Sequence, residues 1–208
     1  GLWPMALQTE MADLVDGRGA IYLEMMPETP ADPAPITIRS TRQPGDLGLI
    51  VWLHGVGYAD GVGAHDAPGF EAYVAQTVAD FGKQPDARGT LFFAERQGPG
   101  GRVETVGCAA MIERHGGPKP RGQIRWVITL DTARGQGVGG RLIDACMGEA
   151  QRLGFHDVYL QTTSGLDASM AIYQKLGFQV IHHEQQELWN GQYQDLIEML
   201  LVLDRNAQ

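Results

Sequence analysis

The stretch Arg134-Gly135-Gln136-Gly137-Val138-Gly139-Gly140-Arg141 lies between two strongly patterned segments. Before it, Gln123–Leu130 is rich in isoleucine, tryptophan and valine and reads as a strand. After it, Val138, Leu142, Ala145, Cys146, Glu149 and Leu153 recur at helical spacing, and Gly154 is placed to end that helix. A strand, a glycine loop and a helix in this order form an anion site. Glycines lack the Cβ atoms that would hold a ligand away from the backbone. The first N–H groups of a helix have no partner within it, and the helix dipole adds positive potential at that end. A phosphate or pyrophosphate suits such a place.

Two familiar phosphate-loop readings can be set against the string. It lacks the terminal Gly-Lys-Ser/Thr of an ATP-type loop. Gly135, Gly137 and Gly140 match the dinucleotide string G-x-G-x-x-G in form. That string, however, belongs in an early βαβ unit with an acidic residue about 20 positions on. Here the loop lies two-thirds along the chain, after a segment that reads as a hairpin, which argues against a nicotinamide or flavin dinucleotide.

Working outward from the loop, the hairpin is Thr90–Glu95 and Val103–Glu113, turned by Gly98–Gly101. Ahead of it are two amphipathic helices, Asp46–Tyr58 and Gly69–Phe81, separated by the loop Gly61–Pro68. Ile36–Ser40 alternates as a half-buried strand, and His115–Gly122 is a Gly/Pro loop. Beyond the long helix come a strand at Val158–Thr162, a short helix at Ser169–Leu176 ended by Gly177, and closing strands at Phe178–His182 and Tyr193–Leu203. The pattern predicts an α/β (α+β) domain with a mixed, mostly antiparallel sheet of about six to seven strands and about four helices. Pro27, Pro30, Pro33 and Pro35 crowd into nine residues, so residues 1–35 are expected to be an N-terminal extension or linker, and 36–204 the domain.

The 208 residues carry a net charge of −9, a field that repels phosphate polymers and anionic lipid and argues against nucleic acid or a membrane as partner. The same acidity is compatible with a cationic or amine substrate. No apolar run approaches the roughly 20 residues needed to span a bilayer, and no basic stretch leads into an apolar one at the start, so a cytoplasmic protein without a signal peptide is expected. Cys108 and Cys146 each sit in an apolar pattern and read as buried, reduced thiols.

Arg134-x-x-Gly137-x-Gly139 resembles the (Gln/Arg)-x-x-Gly-x-(Gly/Ala) signature of the GNAT N-acetyltransferase superfamily. Tyr173-Gln-Lys-Leu-Gly177-Phe178, which begins 39 residues after Arg134, resembles that family's later Tyr-x-x-x-Gly-Phe segment. The resemblance spans roughly residues 36–204. From Ile36 to His54 and through the following helix it is closest to GNAT domains fused to winged-helix (MarR-type) regulators. It implies a GNAT-type acyl-CoA N-acyltransferase fold and acetyl transfer from acetyl-CoA, as co-substrate, to an amine acceptor by direct attack in a ternary complex. Residues 134 to 140 (Arg134, Gly135, Gln136, Gly137, Val138, Gly139 and Gly140) would bind the pyrophosphate, with Arg141 adding charge. Val127, Ile128 and Thr129 would hold the pantetheine arm by backbone hydrogen bonds, as an added strand does. Thr129 stands where valine is common, and Asp167 stands near the position of a CoA-binding asparagine. Tyr173 would be the general acid that protonates the departing thiolate. The helices Asp46–Tyr58 and Gly69–Phe81 and the loop between them would shape the acceptor site. A homodimer is a further possible arrangement. The contrasting reading from another class is a non-catalytic acyl-CoA-binding or sensory module, and a third is a nucleotide-binding enzyme.

The base that takes the amine proton has no motif. Glu113, Asp131, His54 and Glu198 are candidates by residue type only, with a water relay as the alternative. Trp126 and Trp189 read as core or surface aromatics. His182-His183 resembles a metal pair, but neighbouring residues of a strand point to opposite faces, so no metal site is expected there.

Overall fold

The computed structural model describes residues 34–59, 65, 68–84, 88–114, 119–189 and 191–203. Residues 1–33, most of the expected extension, lie outside the described residues, as do most of the loop after Tyr58 and residues 115–118.

Among the described residues, alternating and apolar runs form seven strands: β1 Thr37–Arg39, β2 Gly89–Gln97, β3 Val103–Arg114, β4 Arg121–Thr129, β5 Asp157–Thr163, β6 Gln179–Glu187 and β7 Tyr193–Val202. They make one sheet in the order β1-β2-β3-β4-β5-β7-β6. Every neighbouring pair is antiparallel except β4 and β5. Among the described residues the α-helices are α1 Asp46–Gly57, α2 Pro68–Gly82, α3 Val138–Arg152 and α4 Asp167–Lys175. The mixed, mostly antiparallel architecture expected from the sequence is the one observed. The last hairpin is longer than its apolar pattern suggested, because β6 runs on through His183-Glu-Gln-Gln-Glu187, an exposed edge that the apolar alternation does not mark.

The core has two parts. Leu142, Ile143 and Cys146 of α3 pack with Ala109, Met111, Phe155 and Met199. Ile50 and Leu53 of α1 and Phe70, Val74 and Phe81 of α2 pack with Phe93, Cys108 and Ala110. Burying this many large apolar side chains contributes roughly 1.5–3 kcal/mol for each. Cys108 and Cys146 therefore belong to different parts of the core, and both are free thiols.

β4 changes its facing midway. Cys108 opposes Ile128 and Ala110 opposes Arg125, so Trp126 and Val127 together stand opposite Ala109. This is a β-bulge. Trp126 takes up the extra residue with a φ of 49°, rare for a bulky side chain. Ile124 consequently packs on the α3 side, while Trp126 and Ile128, which simple alternation would place beside it, pack on the α1/α2 side. The Trp126 indole N–H donates to Thr77 Oγ1 at 3.1 Å, and the Cys108 thiol donates to the Trp126 carbonyl at 3.2 Å.

The start of α1 is fixed by a buried ion pair. Arg39 donates to both oxygens of Asp46, at 2.8 and 3.0 Å, and to Glu95 at 2.7 Å. The Gln43 amide donates to Asp46 at 2.7 Å, and the Arg39 guanidinium lies 4.5 Å from the Phe93 ring centre. Burial pushes the Asp46 carboxyl up, but the bonds from Arg39 and Gln43 outweigh it and leave the group below the usual carboxylate range.

Candidate active site

The parallel pairing of β4 and β5 covers only Arg121–Asp157, Gly122–Val158 and Gln123–Tyr159. Beyond that the two strands part. Ile128 and Thr129 keep partners in β3, Val127 stands in the bulge beside them, and all three line a cleft. A short 3₁₀ turn, Asp131–Ala133, carries the chain from β4 to the glycine loop.

Gly135 and Gly137 have φ of 75° and 71°, which an L side chain rarely adopts. Gly137 is the N-cap of α3 and supplies no side-chain bond, so the first amides of that helix are left for another partner. Nothing lies within 4 Å of where a Cβ would stand at Gly135, Gly137 or Gly140. A phosphate could therefore reach the backbone without obstruction. The cleft measures about 540 Å³. Of the residues expected to hold the cofactor, Val127, Ile128, Thr129, Arg134, Gly135, Gly137, Val138, Gly139, Gly140 and Asp167 all line it. Gln136 and Arg141 do not. Gln136 turns back to donate to the Thr132 carbonyl at 3.3 Å, and Arg141 stands exposed on the first turn of α3. The Arg134 guanidinium is paired with Asp131 at 2.8 Å, and that carboxylate offsets part of the attraction it can offer a phosphate.

A second cavity of about 150 Å³ adjoins the first. Tyr58, Val127, Leu166, Ser169 and Tyr173 border both. Tyr173 comes from α4 and is 5% exposed, with Phe178 packed edge-on at 5.9 Å. Burial, with a smaller push from Tyr58, raises its phenol far above the usual tyrosine range. Burial likewise pushes Tyr58 up to about 12. Both hydroxyls thus carry their protons at neutral pH, as a proton donor must.

The second cavity is walled by rings. Trp189 lies 4.6 Å from Phe70 and 5.2 Å from both His65 and Tyr73, and His65 stacks on Tyr58 at 5.0 Å. Trp189 is therefore a cavity wall, a role its sequence neighbourhood gave no sign of. Tyr58 was visible only as the end of a helix. The spacing of Phe70 and Tyr73 marked an amphipathic helix but not a shared wall with residues more than a hundred positions away.

Of the four candidate bases, only His54 borders this cavity. Its Nδ1 donates to the Ile50 carbonyl at 2.8 Å, so the lone pair is on Nε2. Burial, opposed by that bond, lowers its pKa to about 4, and the ring is neutral at pH 7. Glu113 is engaged by Arg88 at 2.7 Å, Asp131 by Arg134, and Glu198 by Tyr159 and Gln161; none of the three lines either cavity. His182 and His183 lie within 3.3 Å of Glu184 and Asp195 on the exposed β6–β7 hairpin. Among the described residues, no group of three or more His, Cys, Asp or Glu is placed to hold a metal ion, and no helix is long and apolar enough to cross a membrane.

The model of the Acetyltransferase (GNAT) family matches residues 45–178, more than half of the chain. The protein belongs to the GNAT family. Its glycine loop, parted strands and buried tyrosine all fall within the matched segment. The uncharacterized N-acetyltransferase YjgM of Escherichia coli (strain K12) is 30% identical over 80 residues, 38% of this chain and 48% of that protein. The alignment thus spans about half the length of the curated relative. Among solved structures, yncA from Salmonella typhimurium, determined with its cofactor acetyl-CoA, superposes with a TM-score of 0.62 at 20% identity, covering 84% of this chain and 98% of that one. Ribosomal-protein-alanine N-acetyltransferase from Brucella melitensis gives 0.61 at 20% identity, covering 80% and 99%. At these identities the likeness is one of fold, and the sheet and helices described above are those of the GNAT acyl-CoA N-acyltransferases. Acetyl transfer is the general chemistry of the family to which the chain belongs.

Proposed function

We propose that this GNAT protein transfers acetyl from acetyl-CoA to a primary amine by direct attack in a ternary complex. One observation carries the reading: Tyr173 borders both the cleft under the glycine loop and the ring-walled cavity beside it. A proton donor at that junction can reach a thioester entering from one side and an amine entering from the other. The fit to acetyl-CoA rests on three features of the first cleft: the uncapped start of α3, the open space over its glycines, and the free edge of Val127–Thr129. The loop amides would hold the pyrophosphate. The free strand edge would take the pantetheine amides as an added strand, and its N–H groups would stabilise the oxyanion formed during attack.

In the transfer, the amine nitrogen bonds to the acetyl carbon and the carbon–sulfur bond breaks. The sulfur leaves with the electron pair and takes its proton from the Tyr173 hydroxyl. The amine proton leaves by way of water to solvent, and Tyr173 regains its proton from solvent; His54, its pKa lowered to about 4 by burial, is placed to accept a hydrogen bond at the cavity rather than to hold the proton. A covalent enzyme intermediate on sulfur is disfavoured, because burial pushes both cysteine thiols well above their ordinary range and keeps them un-ionised. The narrower likeness to regulator-fused domains rests on the stretch Ile36–His54 and the helix after it, and nothing in the site geometry adds to it.

The test is a melting-temperature comparison with acetyl-CoA, CoA, NADH and ATP, followed by an amine panel that reads released CoA thiol. A ligand that binds only the folded state raises the melting temperature. A rise of several degrees with acetyl-CoA and CoA alone, with thiol release on adding an amine, is the expected result. A rise without turnover of any amine would favour a non-catalytic acyl-CoA-binding module. A larger rise with NADH or ATP would overturn the cofactor assignment.

A further inference from the structure

The smaller cavity has a composition that the acidic balance of the whole chain does not foreshadow. Among the described residues, no aspartate or glutamate lines it, and Arg125 is its one formally charged side chain. The Arg125 Nη2 donates to the Tyr73 hydroxyl at 3.2 Å, which holds the guanidinium at the half-exposed end of the cavity. Its carbon lies 5.3 Å from the Trp126 ring centre. Among the described residues no carboxylate stands within ion-pair distance of it, in contrast to Arg39, Arg88, Arg121 and Arg152. Phe70, Tyr73 and Trp189 give the wall an aromatic part, and Gln123, Gln161, Thr162, Thr163 and Ser169 give it an uncharged polar part. The volume of about 150 Å³ is that of a cavity able to hold a benzene-sized group.

Resting on the proposed acetyl transfer, we propose that the acceptor is a small primary amine bearing a carboxylate and an apolar or aromatic side chain, an amino acid in form, with Arg125 as the residue that binds the carboxylate. An arginine fork matches a carboxylate in shape and charge. The ring wall takes the side chain by burial of its apolar area. A polyamine or a lysine-rich peptide would bring additional positive charge against the guanidinium, with no carboxylate among the described lining residues to receive it. The same arrangement assists the chemistry. A nearby guanidinium and a low-dielectric wall both favour the neutral form of the amine, the form that attacks.

The experiment measures kcat/KM for L-phenylalanine, phenethylamine, L-leucine, isoamylamine, spermidine and a short peptide with a free N-terminus, by release of CoA thiol. Quenching of tryptophan fluorescence is read in parallel, in the presence of CoA, because Trp126 and Trp189 both line the cavity. The expected result is a preference of about 10- to 100-fold for each amino acid over its decarboxylated partner, the range of one charge-assisted hydrogen-bonded contact. Arg125→Gln should collapse that ratio, and Arg125→Lys should retain part of it. Equal or better use of the decarboxylated amines, of spermidine or of the peptide would overturn the proposal, as would an unchanged ratio in Arg125→Gln. If no amine is turned over, acetyl transfer fails as the reading of the site. The fluorescence titration still decides the ligand class: tighter binding of phenylalanine than phenethylamine, lost in Arg125→Gln, upholds it, and no such difference overturns it. An acetyl-CoA-induced rise in melting temperature shared by wild type and variant shows that the variant is folded and its first cleft intact.

Discussion

Gly69 lies so close to Trp189 that a Cβ at position 69 would stand 2.4 Å from the Trp189 carbonyl oxygen. The first turn of α2 and the loop after β6 can approach only because residue 69 has no side chain. Since Trp189 and Phe70 share the wall of the smaller cavity, the contact sets the shape of the proposed acceptor site. Gly69→Ala should push the Trp189 loop outward, because backbone cannot yield as a side-chain tip can. The expected outcome is a rise of about tenfold in KM for the acceptor, the loss of roughly 1.4 kcal/mol of binding, while the melting-temperature gain with acetyl-CoA stays as in wild type. Steady-state kinetics varying the amine at saturating acetyl-CoA measure it.

Tyr173→Phe keeps the ring packed on Phe178 and removes only the hydroxyl. As the proposed proton donor, that hydroxyl should be worth about 10²- to 10⁴-fold in kcat, with the Kd for acetyl-CoA changed by less than about threefold (roughly 0.65 kcal/mol). Unchanged turnover would remove Tyr173 from the reaction. The raised phenol has a consequence for pH as well. A general acid is competent below its pKa, and burial moves this one upward, so wild-type kcat should show no alkaline fall attributable to Tyr173 below about pH 10, the ordinary tyrosine value.

The ion pair of Arg39 with Asp46 is sequestered, with side chains 13% and 4% exposed. Removing Asp46 leaves the Arg39 guanidinium still paired with Glu95 at 2.7 Å but takes away the acceptor of the Gln43 amide, and Asp46→Ala should lower the unfolding free energy by about 1–3 kcal/mol. Asp46 is depressed in the folded state, so its contribution is present above the unfolded carboxylate pKa and is lost as pH falls through the lower folded value. Urea denaturation at pH 7 and at pH 3 reads both effects, and the difference between wild type and variant should be smaller at pH 3.

His54 acts in a higher window. Its imidazole titrates near 6.5 when unfolded and near about 4 when folded. Between these values the unfolded chain binds the extra proton, so the stability His54 contributes is full above pH 6.5 and is lost as pH falls towards 4. The shift corresponds to about 3 kcal/mol at most. His54→Gln, which does not titrate, should show a shallower dependence of unfolding free energy on pH between 6.5 and 4 than wild type does. An identical dependence would mean that the buried neutral ring is not what destabilises the acidified protein.

The linear sequence determined the elements and the first cleft, because both are written in local physics. Helical spacing from Val138 to Leu153, alternation in β2 and β3, and glycines at 135, 137 and 140 each act through neighbours a few residues away. The loop could be named as a phosphate site for that reason, whereas the pantetheine role of Val127–Thr129 was implied by the GNAT resemblance and belongs to the proposed function. Within that stretch, Gln136 and Arg141 are turned from the cleft, a matter of side-chain direction that spacing does not carry. The tertiary structure alone decided the rest. The bulge at Trp126 reverses the facing of β4, since one extra residue against Ala109 shifts a period of two, and the pattern Ile124, Trp126, Ile128 conceals it. The smaller cavity joins Tyr58, Phe70, Arg125, Tyr173 and Trp189 from five separate segments. No periodicity links them. Their meeting depends on the splay of β4 from β5 and on the absence of a Cβ at Gly69, which are properties of packing and are resolved only when the chain is folded.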